Sequence, residues 1–127
     1  MRKFTIEFEA GALPTQKELA TASFLANQRK KVLFLKPVDR NHIKTPDIIM
    51  DGLKWEMKGP EGKGKYLLQN TLHKAIKQSV NVIIDLRWIK ISPEEKCISK
   101  LNKEFNLSKA LKRLIIITRT EMLDLQK

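Results

Sequence analysis

The sequence predicts an α/β fold: a single domain, residues 1–127, with a mixed central sheet flanked by helices. Two observations predict it. Apolar runs too short for helices alternate with longer segments whose apolar residues recur at helical spacing and which open on helix-start signals. In mid-chain the dipeptide Asp51-Gly52 lies between two strand-like stretches, the signal of a tight hairpin. No repeat, linker or low-complexity segment interrupts this pattern. The core is expected over about residues 15–125, with an N-terminal strand or arm over 1–10.

Phe4, Ile6 and Phe8 alternate with polar residues, as in a strand, until Gly11 and Pro14 break the run. Thr15-Gln16-Lys17-Glu18 is a capping box, hydroxyl first and carboxylate three residues on. It opens a helix whose stripe of Leu19, Ala22 and Ala26 runs to about Gln28. Val32–Leu35 reads as a short buried strand and Pro37–Lys44 as a polar connection. Thr45–Met50 and Leu53–Lys58 are the two arms of the hairpin. A loop, Gly59–Lys65, leads to a helix over Tyr66–Ser79 that turns Leu68, Leu72, Ala75 and Ile76 inward and Asn70, His73, Lys74, Lys77 and Gln78 outward.

Asn81–Leu86 is a continuous apolar run, the mark of a central strand. Ser92-Pro93-Glu94-Glu95 is a second capping box with proline at the first helical position, opening a helix that buries Ile98, Leu101 and Phe105. A turn of helix is expected after Ser108, then a strand over Leu114–Thr118 with Met122–Leu125 pairing as an edge.

Composition narrows the function. Lys plus Arg number 25 against 14 acids, for a net charge of +11 and a pI near 9.9. Such a charge attracts polyanions, nucleic acid first and an anionic membrane second. The longest apolar runs, Val82–Ile84 and Leu114–Ile117, fall far below the ~20 residues of a spanning helix. The first seven residues carry no apolar signal region, so any export signal is expected elsewhere or on another chain. Hydrophobic residues make up 42%, enough for a core without disulfides, and a lone Cys97 forms none internally, which fits a reducing cytoplasm. Cys97 reads as inert packing.

The hairpin carries the chemistry. Asp47 lies four residues before the Asp51-Gly52 turn and Glu56 four after it, so the two come nearly opposite across the ladder. Alternation puts Glu56 and Lys58 on one face and sends Trp55 and Met57 to the other, into the core. Two carboxylates suit a hard divalent cation such as Mg²⁺. A lysine beside them can orient a water and stabilise negative charge building on a phosphate.

Thr45-Pro46-Asp47-Ile48-Ile49 followed by Trp55-Glu56-Met57-Lys58 resembles the PD-(D/E)xK nuclease superfamily. The resemblance implies a restriction-endonuclease-like core in the order αβββαβ over Thr15–Leu86. It implies that Asp47 and Glu56 bind Mg²⁺ or Mn²⁺ with the Met57 carbonyl, and that Lys58 is catalytic. Adding the glycine-rich loop, Leu72-His73-Lys74-Ala75-Ile76-Lys77-Gln78-Ser79 and Asn81-Val82-Ile83-Ile84-Asp85-Leu86, the chain looks like the C-terminal tRNase domain of contact-dependent growth inhibition toxins (CdiA), over roughly Thr15 to Leu125. That resemblance implies a toxin that cuts tRNA in the bacterial cytoplasm, is delivered from another cell, and is restrained by an immunity protein. A DNA endonuclease with the same site, and a non-catalytic nucleic-acid-binding module, are the alternatives.

Supporting residues each have a plainer account. Glu18 matches the acidic first-helix residue that reaches the metal in many such nucleases, but the capping box already explains it. Lys77, and with it Gln78, is a candidate for holding phosphate or water. His73, one turn before Lys77, is more simply a solvated helix residue. Lys63 and Lys65 place charge on a loop able to close over a nucleic-acid backbone. Trp88, between Arg87 and Lys90, is a better base-stacking candidate than Trp55. His42 sits in a polar loop with no catalytic role expected. Gly59-Pro60-Glu61-Gly62-Lys63-Gly64-Lys65-Tyr66 nearly spells a P-loop, but Tyr66 stands where a Ser or Thr must meet Mg²⁺.

Overall fold

The computed structural model describes residues 5–37, 45–62, 64–89 and 93–127. The expectations attached to Phe4, His42, Lys63, Lys90 and Ser92, and most of the polar connection before Thr45, lie outside the described residues. Those described form seven strands, β1 (Ile6–Phe8), β2 (Val32–Phe34), β3 (Ile48–Met50), β4 (Leu53–Lys58), β5 (Asn81–Asp85), β6 (Arg113–Ile117) and β7 (Met122–Gln126). Three α-helices lie between them: α1 (Gln16–Asn27), α2 (Leu67–Ile76) and α3 (Glu94–Leu107). The strands line up in chain order in one mixed sheet. β1–β2 and β4–β5–β6 are parallel, and β2–β3–β4 and β6–β7 are antiparallel. The α/β class and the mixed sheet flanked by helices are as the sequence predicts.

Each face of the sheet has its own core. α1 buries Ala22 and Leu25 against Trp55, Met57, Ile83 and Ile115. On the other face, α2 and α3 bury Leu68, Leu72, Ala75, Leu101 and Phe105 against Val82, Ile84, Leu114 and Ile116. β5, central and buried at every position, therefore reads as an unbroken apolar run.

Local signals explain the elements around the site. Thr15 caps α1: the Glu18 amide donates to its Oγ1 (3.1 Å) and its own amide donates to Glu18 Oε1 (2.8 Å). Asp51 (φ 53°) and Gly52 (φ 75°) both take left-handed backbone, as a two-residue type I′ hairpin requires. Trp55, fully buried, donates its indole N–H to the Met50 carbonyl (2.9 Å), locking the two arms together.

Three boundaries differ from expectation. α2 stops at Ile76, so Lys77 is its C-cap and Gln78 lies beyond it. The chain must turn there: Ser79 Oγ and Asn81 Nδ2 both donate to the Lys54 carbonyl (2.8 and 3.2 Å), pulling the segment onto β4. Pro93 stands at the N-cap of α3, not at the first helical position, with its carbonyl accepting from the Lys96 and Cys97 amides. No helical turn follows Ser108; its hydroxyl accepts from the Leu111 amide (3.1 Å) and holds a bend.

Candidate active site

The β3–β4 register ends at the Ile48–Trp55 pair, and the Asp47 and Glu56 carboxyl groups meet just beyond it. Asp47 is tied on three sides. Its amide donates to the Trp55 carbonyl and its carbonyl accepts from the Leu35 amide, both at 2.9 Å. Its carboxylate Oδ2 accepts from the Met57 amide (2.9 Å). β3 ends at this point, just after Pro46, and the Met57 amide bonds to a side chain instead of a strand carbonyl. The carboxylate is thereby aimed along β4.

Glu56 is only 3% exposed. Its Oε2 lies 3.2 Å from the Lys58 ammonium, the two side chains sharing a face as alternation requires. Its Oε1 is buried without a hydrogen-bond partner. The Asp47 carboxyl lies within hydrogen-bonding reach of Glu56, so the two acids are satisfied only by a shared proton or by a cation. Burial, with the neighbouring Asp47 charge second, pushes the Glu56 carboxyl up to about 8. Asp47 is also raised, first by burial and then by the charge of Glu18, with the Met57 amide working against both. Acids raised together in one spot mark a candidate functional site.

Glu18 serves twice: it closes the capping box and bears on Asp47 electrostatically. The structure thus brings Asp47, Glu56, Lys58 and Glu18 together, with Met57 joined through its amide. Among the described residues no three acidic, histidine or cysteine side chains close into a ready-made metal cage.

Among the described residues, the remaining candidates make no hydrogen bond or ion pair to these groups. Lys77 and His73 are exposed and their side chains make no ion pair among the described residues. Lys77 and Gln78 flank the turn held against Lys54, two residues before Glu56 along β4. Lys65 lies beyond the strand end, in a cavity formed with α3. Trp88 is half-buried, with the Lys17 ammonium 5.1 Å and the Arg87 guanidinium 5.2 Å from its ring centroid.

Two groups escaped the sequence reading. Lys17 donates to the Gly59 carbonyl and pairs with Glu61 (3.0 Å), so α1 holds the loop that leaves Lys58. A Cβ on Gly59 would come within 3.0 Å of the Lys17 side chain and 3.2 Å of Trp88, which explains glycine there. Asp85, fully buried, accepts from Thr21 Oγ1 (2.8 Å) and from Arg87 Nε and a terminal guanidinium nitrogen (2.9 and 2.8 Å). Arg87 also donates to the Ala20 carbonyl (3.1 Å), so this cluster fixes α1, and Glu18 with it, over the end of β5. The Asp-x-Arg spacing of Asp85 and Arg87 was the only sequence trace.

The hairpin thus sets the buried Glu56 carboxylate beside the half-buried Asp47 and the Lys58 ammonium on a mixed α/β sheet. The fold matches a solved structure described as a CdiA-CT/CdiI toxin and immunity complex from Burkholderia pseudomallei, with a TM-score of 0.66 and 16% identity over 96% of this chain and 98% of that one. No curated protein matches the chain in sequence. The family model of the contact-dependent growth inhibition CdiA C-terminal domain matches residues 44–122, and the chain belongs to that family.

Proposed function

We propose that this toxin domain is a metal-dependent endoribonuclease that cleaves tRNA. The observation that supports it most is Glu56, a buried carboxylate with one unpartnered oxygen, set between Asp47 and Lys58. Its motif residues resemble those of the PD-(D/E)xK nucleases.

The donor set fits a divalent cation, Mg²⁺ or Mn²⁺. Two crowded carboxylates must be neutralised by protons or by a cation, and two carboxylates completed by a backbone carbonyl and waters suit Mg²⁺. Asp47 and Glu56 would hold it, with the Met57 carbonyl and Glu18 close by. When bound, it supplies an acidified water and neutralises phosphate charge. Lys58, partly exposed and held by Glu56, stabilises negative charge developing on the phosphodiester. Asp47, fixed by its backbone bonds and by Met57, keeps the site in register without rearrangement.

The net charge of +11 favours a polyanionic substrate. We extend to this chain the pairing in the solved relative, a toxin with its immunity protein. Action in the cytoplasm of a contacted bacterium is the setting in which tRNA would be met.

The test is incubation of the protein with total tRNA and with plasmid DNA in Mg²⁺, beside Asp47→Ala. Discrete tRNA fragments from the wild type alone are expected. Nicking of DNA with intact tRNA would reassign the substrate, and cleavage of neither would overturn the nuclease reading.

A further inference from the structure

We propose that the cavity between the glycine-rich loop and α3 is a phosphate subsite for the nucleic-acid backbone, built by Lys65, Lys96 and Lys100. This rests on the nuclease reading and adds the direction in which the strand leaves the carboxylates. The loop runs from the end of β4, directly after Lys58, to the start of α2.

The cavity measures about 140 Å³, more than a single water needs. Its apolar floor includes Leu67, Leu68 and Ile89; its charged wall is the three lysines, with no acidic side chain in the lining. Lys96 and Lys100 are one helical turn apart on α3, a spacing that sets like charges side by side at a cost to the helix. The Lys65 and Lys100 ammoniums stand 5.6 and 5.8 Å from the centroid of the same ring, Tyr66. Lys100 also donates to the Lys65 carbonyl, which draws the α3 charge toward the loop.

None of the three makes an ion pair among the described residues, whereas Lys17, Lys30, Arg87 and Arg113 each have an acidic partner. Three cations with no acidic counterpart line one cavity, so a phosphate entering it is attracted by all three. Lysine suits the purpose because it meets a backbone phosphate as a point charge without reading sequence.

The test is binding of unfractionated tRNA, with chelator to suppress cleavage, to wild type, to the triple variant Lys65→Ala/Lys96→Ala/Lys100→Ala, and to the exposed-lysine control Lys31→Ala/Lys103→Ala/Lys109→Ala. Removing phosphate contacts should weaken binding about tenfold and make the salt dependence shallower by roughly one unit per contact. The control, with the same change in net charge, should lose clearly less. Equal losses in both triples would overturn the subsite while leaving the nuclease reading intact. Failure of the wild type to bind tRNA at all would overturn both. Should the triple variant not fold, K96Q on the exposed side of α3 carries the comparison. It should weaken binding severalfold, and unchanged affinity would overturn the proposal.

Discussion

At the scale of single residues, the site is an electrostatic conflict held in place by geometry. The Asp47 and Glu56 carboxyls meet just beyond the end of the β3–β4 ladder, and one Glu56 oxygen has no N–H or hydroxyl donor. Alanine at Asp47, Glu56 or Lys58 should each lower tRNA cleavage by at least about 10²-fold, the scale expected when a group stabilising transition-state charge is lost. Circular dichroism should show the fold retained, and normal turnover by all three variants would remove the proposed site. The raised Glu56 carboxyl also makes stability depend on pH. Its ordinary value is 4.5 and burial beside Asp47 lifts it to about 8, so between these values the folded, metal-free protein holds a proton that the unfolded chain has released. Stability should therefore fall as pH rises through that window. Glu56→Gln should flatten the fall, read as melting temperature against pH in chelator; an unchanged slope would mean that Glu56 is not the group responsible.

At the scale of elements, one turn and one anchor set the alignment. The β3–β4 turn fixes which residues oppose each other, and a one-residue slip would send Glu56 to the wrong face. Gly52 has open space around its Cα, yet its φ of 75° disfavours any side chain. Gly52→Ala should cost about 1 kcal/mol through backbone strain alone, measured by urea unfolding. The Asp85–Arg87–Thr21 cluster anchors α1 to the end of β5. Asp85→Ala leaves Arg87 without its carboxylate and Thr21 without its acceptor. A loss of about 3–5 kcal/mol is expected, the range for breaking a buried pair. Lowered cleavage should accompany it, since Glu18 and Lys17 ride on α1; wild-type stability in that variant would refute the anchoring role.

At the scale of the whole molecule, the excess of cations predicts a steep fall of tRNA affinity with added salt, because each phosphate neutralised releases counterions. A flat response between low and physiological salt would show that phosphate contacts do not drive binding. What the sequence determined was whatever depends on near neighbours. The capping box of α1, the Asp51-Gly52 turn and the alternation along β4 all act within a few residues, so the element order and the Asp47, Glu56 and Lys58 grouping were legible from the chain. Trp55 in the core followed from the same alternation. What only the tertiary structure decided joins residues far apart in sequence. Examples are the burial that orphans Glu56, the reach of Glu18 to Asp47, the grip of Lys17 on Gly59, the closure of Thr21 on Asp85, and the meeting of Lys65 with Lys96 and Lys100. The early end of α2, which leaves Lys77 outside the helix, belongs with these because Lys54 draws the following turn onto β4. Local sequence sets dihedral preferences and periodicity, whereas burial and long-range charge exist only once the sheet has brought distant segments together.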